Sequence, residues 1–405
     1  MPSDHARIQV LSPRTWGEFG NYLAATSFSR VLRGAVDAEV TLLEAEPIVP
    51  WLGEAGAEIR AISLGSPDAA TRTERYMALM SRLQERFPAG FEVDPGLRQA
   101  EALSGLVKHL RETTPDVVVG TKGIVARLCV AAVRLAGLRT RVVSHVTNPG
   151  LMDLPLHRSR HPDLTLVGLE RAKERLLAEE GGDPDRIRVV GPLVAQHDLR
   201  DFMTTGGGGG EAGTGPWGGD RTVPRLIVFC NRGGDTYLRL LEHLAERHPH
   251  IDLVFVGYDD AELARRAAAS AAASRVPHWR FHSRLTQAEY FDCIDQASRS
   301  PYGLLVSKAG PNTTLEAAYF GIPVLMLESG LPMEAWVPGL IAEHGLGRAC
   351  ASPQELIGVL DGWLADPAAI ERHKRRAQSF ARTVLDQEAV ARRIGEAVRT
   401  VLEAR

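Results

Sequence analysis

The chain has 405 residues, 44% hydrophobic and 24% charged, with a formal net charge of -3 at pH 7. That length accommodates two domains with separate cores. Such a charge balance leaves no electrostatic footprint for nucleic acid.

The start of the chain has no apolar signal region and no stretch approaches the length of a membrane span, so a cytoplasmic protein is expected. Cys129, Cys230, Cys293 and Cys350 lie far apart without metal-ligand spacing, as reduced thiols in or near a core would.

In chain order, runs with β character occupy 8–11, 39–43, 116–119, 141–144, 164–167 and 187–190. Helical patterns lie between them near 23–33, 71–86, 97–112, 122–136 and 170–180. Strands separated by helices predict a parallel sheet covered on both faces. In the segment 71–87, Tyr76, Met77, Met80, Leu83 and Phe87 form an apolar stripe. Packing onto the first domain is the commoner use of such a stripe; contact with a lipid surface or an acceptor is the alternative. His157 and His161 are four apart but lie in a Pro-rich stretch without a third ligand, and Asp183-Pro184-Asp185 reads as a turn. No metal is predicted.

Residues 204–220 are largely glycine, including Gly206 to Gly210. The run neither follows a strand nor opens a helix, so it predicts a linker rather than a phosphate loop. Beyond it, 226–230, 253–256, 304–306 and 324–327 read as buried parallel strands. The chain ends in a helix striped by Val390, Ile394, Ala397, Val398 and Val401. The division expected is 1–202, a linker at 203–222, 223–385, and a terminal helix at 386–405 that packs back on the first domain.

The densest chemistry lies in Lys308-Ala309-Gly310-Pro311-Asn312-Thr313-Thr314, with Glu316 beyond and Gly321 and Pro323 closing the segment. A buried strand, a tight turn and a helix start place unpaired backbone N–H groups and a positive dipole end together, which suits a diphosphate. Glu316 then stands where the vicinal hydroxyls of a ribose donate to it. A carboxylate that accepts from both the 2′ and 3′ hydroxyls favours uridine or guanosine over thymidine. Asn231-Arg232-Gly233-Gly234 follows the first strand of the second half and offers a second backbone cradle, with a plain turn about equally expected. Ser283-Arg284-Leu285 is placed to read a base edge through backbone groups.

Lys308-Ala-Gly-Pro-Asn-Thr-Thr-Leu-Glu-Ala317, with Gly-Ile-Pro323 and Glu343-His-Gly-Leu-Gly347, resembles the signature of inverting GT-B glycosyltransferases. The nearest groups are the monogalactosyldiacylglycerol synthases and, more distantly, the lipid II N-acetylglucosaminyltransferase. Pro115 to Val119, Val143 to Asn148 and Arg188 to Val194 follow that pattern loosely. The resemblance implies two Rossmann-like, doubly wound parallel-sheet domains facing a central cleft. The second would bind the nucleotide-sugar donor and the first the acceptor, with no cofactor and no metal.

The departures from that family carry information too. In the loop that supplies the family's base, Asn21 takes the place of a histidine and Gly20 is retained for the donor. Asn148 stands where the family has aspartate. An amide does not accept a proton at neutral pH, which leaves Glu18, Asp153 or His145, or a thiol or thione acceptor that hardly needs deprotonation. Where the family has a Gln-Glu-x-Gly-Asn sugar pocket, this chain has Met333-Glu334-Ala335-Trp336-Val337, and only Glu334 survives as a hydroxyl partner. An unusual sugar, in specialised metabolism of the antibiotic type, is the expectation. Alternatives are a nucleotide-sugar 2-epimerase, a lipid glycosyltransferase at the membrane surface, and a non-catalytic auxiliary subunit; the expected state is a monomer or homodimer.

Overall fold

The computed structural model describes residues 5–16, 20–65, 69–150, 158–180, 182–194, 225–230, 234–257, 260–273, 276, 279–308, 310–329, 331 and 334–404. The predicted linker lies outside them. Two compact units result. One comprises Met1–Ala195, Gly330–Met333 and Asp386–Arg405, and the other Gln196–Ser329 and Glu334–Leu385.

The first unit holds β1 (Ala6–Ser12), β2 (Ala38–Glu44), β3 (Val117–Gly120), β4 (Arg141–His145), β5 (Leu164–Val167) and β6 (Ile187–Val189). They form one sheet, all parallel, in the order β2-β1-β3-β4-β5-β6. Val117, Val118 and Val119 are fully buried, as a central strand covered on both faces requires. One face packs against helices that bring in Leu52, Tyr76, Leu79, Met80, Leu83, Phe87 and Leu106. The 71–87 stripe is therefore core, and only Met77 stays 40% exposed. On the other face the terminal helix Gln387–Glu403 buries Val390, Ile394, Val398 and Val401 with Phe28 and Leu32. Gln387 fastens the start of that helix. Its amide donates to Pro192 O at 3.1 Å, and its carbonyl accepts from Val194 N at 3.1 Å.

The second unit holds β7 (Arg225–Phe229), β8 (Asp252–Val256), β9 (Arg280–His282), β10 (Leu304–Lys308), β11 (Val324–Leu327) and β12 (Gly347–Cys350). Its order, β12-β11-β10-β7-β8-β9, is again wholly parallel. This is the doubly wound Rossmann order, with its switch point between β7 and β10. In the first unit the corresponding reversal falls between β1 and β3. Ligands in such sheets bind outside the carboxyl ends of the strands flanking the reversal. All four cysteines are buried and free.

The sequence reading is amended at five places. The pattern over 97–112 is two helices, Leu97–Ala102 and Ser104–Thr113, broken at Leu103. A helix at Pro50–Gly65 and the strands β9 and β12 go beyond the predicted elements. The Glu343 to Gly347 string has a backbone explanation. Gly345, at φ 61°, ends the helix Val337–His344, with Gly345 N bonded to Ala342 O and Leu346 N to Ile341 O.

Candidate active site

The site is built on β10 and the helix Pro311–Tyr319 that follows it. The chain turns sharply after Lys308, where Gly310 N donates to Lys308 O at 2.7 Å. Gly310 is the N-cap, Pro311 opens the helix, and no side chain caps it. The first helical bond runs from Thr314 N to Gly310 O at 3.0 Å, reinforced by Thr314 Oγ1 at 2.8 Å. Proline has no N–H to leave unpaired, so the amides of Asn312 and Thr313 are the ones this helix start presents. Asn312 is exposed there, whereas Thr313 and Thr314 are buried. The helix closes in a Schellman arrangement, Ile322 N to Ala317 O and Gly321 N to Ala318 O, both 2.9 Å, with Gly321 at φ 72°.

Ser307 Oγ donates to Phe229 O at 2.9 Å, which ties β10 to β7 at the switch point. At that edge Lys308 forms a buried ion pair with Glu334 through Oε1. The other carboxylate oxygen of Glu334, Oε2, is buried without a hydrogen-bond partner among the described residues. A desolvated, half-satisfied carboxylate is costly to maintain and invites a donor.

Glu316, half-buried on the same helix, has its pKa pushed up to about 7 by burial, against a smaller pull from Tyr290. The Tyr290 hydroxyl sits close enough to Glu316 and Thr313 to act on both, without a hydrogen bond of ordinary geometry among the described residues. Ser283, Arg284 and Leu285 follow β9 at the same end of the sheet, three strand spacings from β10, or about 14 Å. Gly234 opens the helix after β7. Trp336 is buried at the N-cap of the helix Val337–His344. Asn231, Arg232, Gly233, Ala309 and Met333 lie outside the described residues.

In the first unit Gly20 and Asn21 begin the helix Gly20–Ala35, which follows the switch-point strand β1. His145 ends β4, stacked on Phe28 with ring centroids 4.3 Å apart. Burial lowers its pKa to about 3, so the ring is neutral and a weak base at physiological pH. Asn148 follows in the half-buried turn after β4. Glu18 and Asp153 lie outside the described residues.

Two residues absent from the sequence reading belong in this description. Tyr290, on the helix Gln287–Arg299, meets Glu316 only through the fold. Lys122, the N-cap of the helix Gly123–Ala136, lies at the carboxyl end of β3 with its ammonium 5.3 Å from the centroid of the Trp16 ring. Burial lowers its pKa to about 8. The signal available for Lys122 was its place one residue past Thr121 at a strand end.

No protein-family model and no curated protein matches the chain. Among solved structures it is similar to UDP-GlcNAc 2-epimerase from Neisseria meningitidis bound to UDP-GlcNAc, at 12% identity and TM-score 0.60 over 99% of this chain and 100% of that one. MurG of Acinetobacter baumannii aligns at 15% identity and TM-score 0.55, over 93% and 95% of the two chains. A UDP-glucosyltransferase from Polygonum tinctorium aligns at 13% identity and TM-score 0.60, over 100% of both. At these identities the likeness is one of fold: two parallel-sheet α/β domains of the GT-B kind.

Proposed function

We propose that the protein is a metal-independent glycosyltransferase that takes a sugar from a uridine or guanosine diphosphate donor and passes it to a small-molecule acceptor. The observation that carries this reading is the set gathered at the carboxyl end of β10. An uncapped helix start, the carboxyl of Glu316 two turns on, and the unpartnered Oε2 of Glu334 lie at a Rossmann switch point. In this reading Asn312 and Thr313 N–H groups hold the diphosphate and stabilise it as it leaves, which preorganised amides achieve without a cation. Glu316 accepts from the ribose, the 283–285 loop faces the base, and Glu334 Oε2 accepts from a sugar hydroxyl. The acceptor attacks the anomeric carbon from the face opposite the departing diphosphate, inverting it.

The acceptor's proton needs a destination. His145 is too weak a base for that task, and Asn21 and Asn148 carry amides. Lys122, whose pKa burial lowers to about 8, is a further candidate in the first unit through its minority free-amine form, whereas a thiol or thione already anionic near neutral pH needs no base. With few sugar partners beyond Glu334, the transferred sugar is proposed to be poor in hydroxyls, deoxygenated, aminated or chain-extended.

Calorimetric titration with UDP, GDP and dTDP tests the donor half of this proposal. One ribonucleotide is expected to bind at least tenfold more tightly than dTDP; equal affinity for all three, or no binding, contradicts it.

A second reading is a 2-epimerase, favoured by neighbours such as the Neisseria enzyme with UDP-GlcNAc bound. Incubating the donor alone separates the two. An epimer formed in the absence of acceptor supports the isomerase, and donor turned over only when acceptor is present supports the transferase.

A further inference from the structure

The second unit carries a second cluster of chemically able side chains that nucleotide binding does not use. His243 lies on the helix Gly234–Arg247, His248 just past its end, and Asp361 on the helix Pro353–Ala365. His243 Nε2 is 2.9 Å from Asp361 Oδ1 and 3.1 Å from Oδ2, and His248 Nε2 is 2.9 Å from the same Oδ1. One ligand atom from each of the three lies within 4.8 Å of the others. Both helices start at the carboxyl ends of their strands, β7 and β12, and run back. Their far ends, and this cluster, therefore lie toward the amino ends of the strands, away from Gly310.

Two imidazole nitrogens and one carboxylate converging on one point are the donor set of a borderline divalent ion. Imidazole suits zinc, nickel and cobalt, whereas magnesium and calcium prefer all-oxygen shells. The three side chains are 18–29% exposed, so water can complete the coordination sphere. Arg247, largely exposed, holds Nε 3.8 Å from Oδ2, beyond hydrogen-bond reach. Each histidine needs only its neutral Nδ1–H tautomer for Nε2 to bind, and the present 2.9 Å N–O separations have to open slightly around an ion.

We propose that His243, His248 and Asp361 form a binding site for a zinc-class divalent transition-metal ion that clamps the ends of two helices. The ion has a structural role remote from the transfer chemistry. The motif was invisible in the sequence because Asp361 comes 113 residues after His248.

Dialysed, chelator-treated full-length protein is titrated with Zn2+ against a chromophoric competitor at pH 7.5. One equivalent is expected to bind with micromolar or tighter affinity, raising the melting temperature until one equivalent is reached, with no such rise from Mg2+. His243→Ala and His248→Ala are each expected to weaken binding at least tenfold, while Asp361→Asn keeps a near-isosteric side chain and also weakens it. His5→Ala, which removes an exposed histidine paired with Asp37, is expected to bind as wild type does. Apo melting curves and far-UV spectra of the variants show whether each is folded. With Co2+, a visible ligand-field band is expected in the wild type and lost in His243→Ala. Undiminished zinc binding in folded His243→Ala and His248→Ala proteins overturns the proposal. So does the absence of any binding below about 100 μM, which would leave Asp361 as a hydrogen-bonded bridge between two histidines.

Discussion

In the proposed donor pose, Glu316 is the residue on which ligand chemistry and protein stability meet. Its pKa, raised from 4.5 to about 7 by burial, means the folded protein binds this proton more tightly than the unfolded chain. The stability it contributes is fully present below pH 4.5 and is lost as pH rises through 7, a change of no more than about 3 kcal/mol. Glu316→Gln cannot ionise. Its stability relative to wild type should therefore rise between pH 5 and 8, and denaturant melts at several pH values check this; a constant difference contradicts it. In the proposed pose ribose hydroxyls favour the carboxylate, so UDP affinity of the wild type should rise more steeply from pH 6 to 8 than that of Glu316→Gln, whose remaining slope is the titration of the UDP phosphate itself. Gly310 separates structure from function in another way. A Cβ built there meets nothing closer than 3.8 Å, and its φ of −92° suits any residue. Gly310→Ala should thus melt within about 0.5 kcal/mol of wild type while weakening nucleotide binding at least tenfold, because in the proposed pose the diphosphate approaches this N-cap closely. Lys308, Gly310 and Glu316 were legible because they share one short string. Tyr290 and the pairing of Lys308 with Glu334 were not, since contacts across 26 residues or between separate helices leave no spacing signal.

At the scale of elements, the central strands were legible because burial on both faces demands continuous apolar runs, as in Val117 to Val119 and Leu304 to Val306. The edges of the second sheet were not. β9 is half-buried at all three residues and β12 begins with glycine, so neither shows an apolar run. The break at Leu103 was hidden for the opposite reason: both short helices continue one apolar pattern, and Leu103 itself is fully buried. A polar element in the first core also escaped a reading based on apolar patterns. Arg127, on the helix Gly123–Ala136, grips Glu92 through Nε at 3.1 Å and Nη2 at 2.9 Å, and both side chains are only 4% exposed. The guanidinium also donates to Pro88 O at 3.2 Å and lies 4.8 Å from the Phe91 ring, fastening the 88–92 turn to the helix. Arg127→Met leaves the buried Glu92 carboxylate without its cation, with Ser159 Oγ still donating to Oε1 at 3.2 Å, and should cost about 3–5 kcal/mol in a denaturant melt. Replacing Glu92 with Met as well should recover much of that loss; an additive double variant would contradict a true pair.

For the whole molecule, no helix among the described residues is long and apolar enough to cross a membrane. Each unit supplies a doubly wound parallel sheet with its own switch point, and Lys308, Gly310, Glu316 and Glu334 are carried by the second unit. That asymmetry matches a division of labour in which the second unit holds the nucleotide. A crystal structure with UDP tests this account most directly. It should place diphosphate oxygens about 2.7–3.1 Å from the backbone nitrogens of Asn312 and Thr313, with the ribose hydroxyls on Glu316. UDP bound elsewhere on the protein, with that helix start bare, would contradict it.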